Sequence, residues 1–118
     1  MARLTNHHGR SAKDGAGIAA LLGVNPNVSS DDIHLIDDFL APGYGIPNDA
    51  TLSAILVAAR KEGLLVDPVY TGKVLAAIIQ QAKIAHKQTS LLFVHTGGSP
   101  ALFGYQEALQ RALAVRDE

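Results

Sequence analysis

The run Leu91-Leu92-Phe93-Val94 breaks through His95-Thr96 into Gly97-Gly98-Ser99-Pro100 and resumes as Ala101-Leu102-Phe103-Gly104-Tyr105, and no other feature constrains the fold as much. Four consecutive apolar residues without alternation read as a strand buried on both faces, which demands a parallel sheet with helices against it. The glycines mark a turn from strand to helix. Backbone donors at a helix start attract anions, and the Thr96 hydroxyl can donate to or accept from a ring nitrogen. Taken alone, the turn is explained first by glycine's tolerance of positive φ, and it lacks the lysine and spacing of a nucleotide phosphate loop. Small-anion binding at this turn stays open as a minor reading.

The rest of the chain supplies helices more readily than strands. Residues up to about Ser11 are polar and aperiodic, so residues 1–16 read as a mobile arm or remnant and 17–118 as the folded portion. Ser11 can cap a helix to Leu22 that Gly23 and Pro26 stop, although Gly15 and Gly17 weaken it. Ile33-His34-Leu35-Ile36 reads as a short strand. Asn48 or Asp49 caps a helix over 50–62, with Leu52, Ile55, Leu56 and Ala59 on one stripe and Gly63 as terminator. A second strong helix runs from Thr71 to about His86, and Tyr105, Ala108, Leu109, Ala112 and Leu113 form the inner stripe of a terminal one. Two or three short strands cannot make a self-sufficient parallel sheet, so something else is expected to complete it.

Composition narrows the function classes. A chain of 118 residues, 47% apolar and with a formal net charge of −1, fits one globular domain and excludes a disordered acidic chain or a generally basic nucleic-acid binder. Absence of cysteine removes disulfides, thiolate nucleophiles and cysteine metal sites together. No run is long enough to span a membrane, and the amino terminus lacks the apolar core of a signal peptide, so a cytoplasmic protein is expected.

Several residues invite chemistry. Tyr70 follows Pro68-Val69 and precedes a helix start, so its phenol can enter a cleft as an acid, a base or a donor; packing with the hydroxyl tied to backbone is the plainer reading. Tyr44, in the Gly- and Pro-shaped loop Pro42-Gly43-Tyr44-Gly45-Ile46-Pro47-Asn48, shares the ambiguity. Lys73 is expected to be solvent-exposed early in its helix and not a Schiff-base group. His95, abutting the glycine turn, could serve as a general base, with a satisfied structural group as the plainer reading; His7-His8 has too few partners for a metal, and no metal site is expected. Asp31-Asp32 and Asp37-Asp38 read as capping or solvated carboxylates.

Three strings, Gly-Tyr-Gly-Ile-Pro-Asn, Asp-Pro-Val-Tyr-Thr-Gly-Lys and His-Thr-Gly-Gly-Ser-Pro-Ala-Leu-Phe, occur in an order and spacing that resemble pyridoxal-phosphate lyases of the D-cysteine desulfhydrase and 1-aminocyclopropane-1-carboxylate deaminase family. The resemblance extends from about Gly17 to Tyr105. It implies the carboxyl-terminal portion of a fold-type II enzyme of tryptophan synthase beta-like fold: α/β, a partial three-layer parallel-sheet fold. In such enzymes the two motif tyrosines line the active site, which points to Tyr44 and Tyr70 as catalytic residues. Thr96, Gly97 and Thr71 are implied as cofactor-binding, with Thr96 beside the pyridine nitrogen. The deaminases tend to carry glutamate and leucine where Thr71 and Thr96 stand, so the resemblance favours the desulfhydrase branch.

The implied reaction is β-elimination of D-cysteine to pyruvate, ammonia and hydrogen sulfide. The family's Schiff-base lysine and glycine-rich phosphate cradle have no counterpart among these residues. The expectation is therefore a truncated or fragmentary homologue, inactive when isolated, that does not bind pyridoxal 5'-phosphate covalently. Whether the chain is itself an enzyme stays open. Expected partners are a small amino-acid substrate in the parent family and either a second copy or a missing amino-terminal portion, with no nucleic acid and no membrane. The alternatives are a non-catalytic, self-associating interaction module and a fragment like the 1-aminocyclopropane-1-carboxylate deaminases.

Overall fold

Side-chain caps and left-handed glycines decide where the helices start and stop. The structure is a computed structural model that describes residues 4–24 and 29–115. It divides into two compact units, Met1–Ile36 and Asp37–Glu118.

In the first unit, helix α1 spans Leu4–Leu22. It starts well before Ser11 and passes residue 17 without a break, because Arg10, Ala12 and Lys13 are good helix formers and propagation costs little once a turn exists. Gly23, at φ 66°, closes it: its N–H donates to the Ala20 carbonyl at 3.3 Å and that of Val24 to Ala19 at 3.1 Å. A 3₁₀ turn follows at Ser30–Asp32, where the Asp32 carboxylate accepts from the Ser29 N–H at 2.9 Å and its hydroxyl at 3.1 Å. Those bonds draw the Asp32 carboxyl below its ordinary value.

The second unit holds helices α2 (Asp49–Glu62), α3 (Thr71–Ile84) and α4 (Gln106–Ala114), the last entered through a 3₁₀ segment, Ser99–Tyr105. Asn48 caps α2 as the sequence suggests, its Oδ1 accepting from the Thr51 N–H at 2.9 Å and hydroxyl at 2.8 Å. Gly63, at φ 62°, ends it with its N–H on the Ala59 carbonyl. α2 packs against both α3 and α4. Ile55, Ala58 and Val66 form the buried centre, with Leu64, Leu75, Phe93, Leu102 and Leu109 around it. The half-buried stripe is Tyr105, at the end of the 3₁₀ segment, with Ala108, Leu109 and Ala112 of α4, while Leu113 is exposed.

The expected parallel sheet is not present among the described residues. Segments 33–36 and 91–94 lie outside any helix or ladder, and the bridge that does form, Gly43 with Ile46, is isolated. A strand exists by hydrogen bonding to a neighbour, and apolarity alone cannot provide one. Leu91, Leu92 and Val94 are accordingly exposed, Leu92 at 85%, with Phe93 turned onto the core.

Candidate active site

Asp67 is the centre from which the site is built. Its side chain is fully buried, and its carboxylate accepts from the N–H groups of Val69 and Tyr70 at 2.7 Å, from the Thr71 N–H at 2.9 Å and from the Thr71 hydroxyl at 2.5 Å. These donors are the otherwise unpaired amides at the start of α3, where a negative charge is also favoured by the helix dipole. Burial pushes the Asp67 carboxyl up, but the hydrogen bonds from Thr71, Tyr70 and Val69 outweigh it, and the group lies below its ordinary value. Gly72 allows this closeness: its N–H meets the Asp67 carbonyl at 2.7 Å, and a Cβ there would lie 2.5 Å from the same oxygen.

Tyr70 is the N-cap residue of α3, so the Asp67 clamp fixes its backbone while its side chain stays 55% exposed. Tyr44 reaches it from the loop before α2. Their hydroxyls are hydrogen-bonded to each other, and the rings meet edge to face with centroids 5.9 Å apart at 66°. The hydrogen bond to Tyr44, with burial and neighbouring charge adding to it, raises the Tyr70 phenol above its ordinary 10.0.

The glycine turn packs close against the same carboxylate. Gly97 and Gly98 take φ of 97° and 92°, and a Cβ on Gly98 would lie 2.7 Å from Asp67 Oδ1. The Gly97 N–H donates to His95 Nδ1 at 3.0 Å, which leaves the ring proton on Nε2 to be donated to the Leu65 carbonyl at 2.9 Å. Ser99 Oγ donates to that carbonyl at 3.0 Å. Thr96 stands exposed between these anchors.

The structure thus joins Tyr44 with Tyr70 directly, while Asp67 bonds the Tyr70 N–H and packs close to Gly98 of the glycine turn. Thr71 is placed differently: it is 2% exposed, and its hydroxyl donates to Asp67 Oδ1 while accepting from the Asp67 N–H at 2.9 Å. Its hydroxyl is engaged on both sides by Asp67. Lys73 is buried and not exposed as expected of an early-helix lysine; its amine donates to the carbonyls of Leu40 and Gly43. Asp67, Lys73 and Tyr105, whose hydroxyl donates to the Gly45 carbonyl at 2.6 Å, are the organising residues that pattern reading missed. Of these only Asp67 carried a local signal, a carboxylate just ahead of a helix start. Among the described residues no cluster of three or more His, Asp or Glu suits a metal ion, and no helix is long and apolar enough to cross a membrane.

Comparison with known proteins agrees with the motifs. The family model described as "Pyridoxal-phosphate dependent enzyme" matches residues 3–97. The D-cysteine desulfhydrases of Salmonella typhi and of Salmonella newport (strain SL254) are each 54% identical over 76 residues, which is 63% of this chain and 23% of theirs. The chain therefore matches about a quarter of the length of these curated relatives. With four fifths of its residues matched by the family model and the tyrosine and glycine motifs inside or bordering that match, the chain belongs to the pyridoxal-phosphate dependent enzymes.

Proposed function

We propose that this chain forms the tyrosine-bearing wall of the active site of a D-cysteine desulfhydrase-like lyase. The observation that carries the reading is the hydroxyl contact between Tyr44 and Tyr70, with Tyr70 held by the Asp67 carboxylate that packs against Gly98 of the glycine turn. The donor set fits one side of pyridoxal phosphate: an exposed threonine hydroxyl on a glycine turn and two exposed phenols. It does not fit the covalent attachment, since the Lys73 amine is buried and engaged with two carbonyls. When bound, the cofactor supplies an electron sink for the pair left behind as the α-proton departs.

The chain's own residues then have separable tasks. Thr96 offers its hydroxyl to the pyridine nitrogen, and Gly97 lets the backbone come close without a Cβ. A hydroxyl there does not enforce protonation of the ring as a carboxylate would. Thr71 acts from behind, by orienting Asp67. Of two paired phenols, one donates to the other and the second keeps its proton for a substrate. Because the Tyr70 phenol is displaced upward, Tyr70 stays protonated at neutral pH and serves as donor and acid, holding the substrate or returning a proton to it. In the complete enzyme we assign segment 91–94 to a strand of the parallel sheet. A second reading, a self-associating module without catalysis, is favoured by the exposure of Leu92 at 85% and Phe103 at 89%.

The test is a segment swap. The matching 76 residues replace their counterpart in the Salmonella typhi enzyme, and pyruvate release from D-cysteine is followed. The swap is expected to retain turnover, and Tyr70→Phe within it to lower kcat roughly 10²- to 10⁴-fold. Full turnover with phenylalanine at position 70 would remove the tyrosine pair from the chemistry. A swap that binds the cofactor but never turns over would favour the second reading.

A further inference from the structure

Lys73 lies in the first turn of α3, where the helix dipole disfavours a cation, and it is only 5% exposed. A buried ammonium is costly unless its protons are taken up. Here Nζ donates to the Leu40 carbonyl at 3.0 Å and the Gly43 carbonyl at 2.9 Å. Neither bond serves the helix. Both serve the loop that carries Tyr44, and they fall on either side of Ala41-Pro42. The neighbouring carbonyls are held as well: Asn48 Nδ2 donates to Phe39 at 3.1 Å and Ala41 at 2.8 Å, and the Tyr105 hydroxyl donates to Gly45. Tyr44 thus stands between two pinned carbonyls, one fastened to α3 and one to the end of the 3₁₀ segment. Its partner Tyr70 caps that same α3.

We infer that Lys73 is a positioning residue, its ammonium fixing the Tyr44 loop so that the Tyr44 hydroxyl meets that of Tyr70. One helix start then holds both phenols, Tyr70 through its backbone and Tyr44 through the lysine. The inference deepens the proposed function and takes its importance from it, but the geometry is a property of this chain and is testable without turnover.

The test follows ionisation of each tyrosine by NMR on isotope-labelled tyrosine in this chain, with signals assigned from single Tyr→Phe variants. Tyr70 is expected to titrate above 10.0 in the parent chain, the direction its hydrogen bond to Tyr44 imposes. Tyr44→Phe brings it down. Lys73→Met is expected to bring it down to the same point with helical circular dichroism unchanged, and Lys73→Arg, which keeps the donors, to restore part of the rise. A Tyr70 titration in Lys73→Met identical to the parent's overturns the inference. Loss of helix in both Lys73→Met and Lys73→Arg also overturns it, since the amine would then hold the fold and not the loop. Failure of the segment swap with these titrations as expected would sink the lyase reading and leave the positioning role standing.

Discussion

Burial alone would lift the carboxyl of Asp67, yet hydrogen bonds from Thr71, Tyr70 and Val69 draw it below its ordinary 3.8. A carboxyl depressed in the folded state adds stability above its unfolded value and loses it as pH falls through the folded one. The unit containing α2 and α3 is therefore expected to weaken in acid, beginning as pH drops past 3.8 and ending below the depressed value. Asp67→Asn is expected to cost roughly 1.5–3 kcal/mol at neutral pH, the range for hydrogen bonds to a charged group, and to flatten this acid limb. Urea unfolding followed by circular dichroism at several pH values checks both. An unchanged acid limb would show that the loss arises at other carboxylates.

Among the elements, α2 and α3 were legible in the sequence because their stop and start signals are local: Asn48 three residues ahead of Thr51, Gly63 after the last stripe residue, Thr71 after Asp67-Pro68. Segment 91–94 was not, since a strand depends on a partner distant in sequence. Lys73 was misread for a related reason, its acceptors lying on a loop some thirty residues away. Two glycines separate local from distant causes by experiment. Gly63→Ala meets open space and strains only a φ of 62°, so it is expected to cost about 1–2 kcal/mol. Gly72 has no such φ, but a Cβ would press on the Asp67 carbonyl at 2.5 Å and on Ile55 and Thr51 at 3.1 Å. Gly72→Ala is therefore expected to destabilise more than Gly63→Ala, although alanine is the better helix former. The reverse order in urea unfolding would mean that α3 can slide off Asp67 at little cost.

For the whole molecule, the family and the tyrosine motifs were readable in the sequence, while the expected sheet does not form among the described residues. Leu91, Leu92, Val94 and Phe103 are exposed together with Leu65 and Val74. A groove of about 650 Å³ between α2 and α4, walled by Leu52, Leu56, Ala108 and Ala112, adds to this apolar surface. The chain is expected to associate with rising concentration and to bind an apolar dye, and Leu92→Lys with Phe103→Lys to reduce both without altering helix content. Light scattering at graded concentration is the measurement; a monomer throughout would mean that these side chains tolerate water singly.

The loop before α2 has one more property. The chain has no tryptophan and three tyrosines, and all three converge there: Tyr44 in the loop, Tyr70 on its hydroxyl and Tyr105 on the Gly45 carbonyl. The tyrosine absorption and emission of this protein consequently come from one neighbourhood, so a beam of light tuned to that band interrogates the candidate site with no label attached.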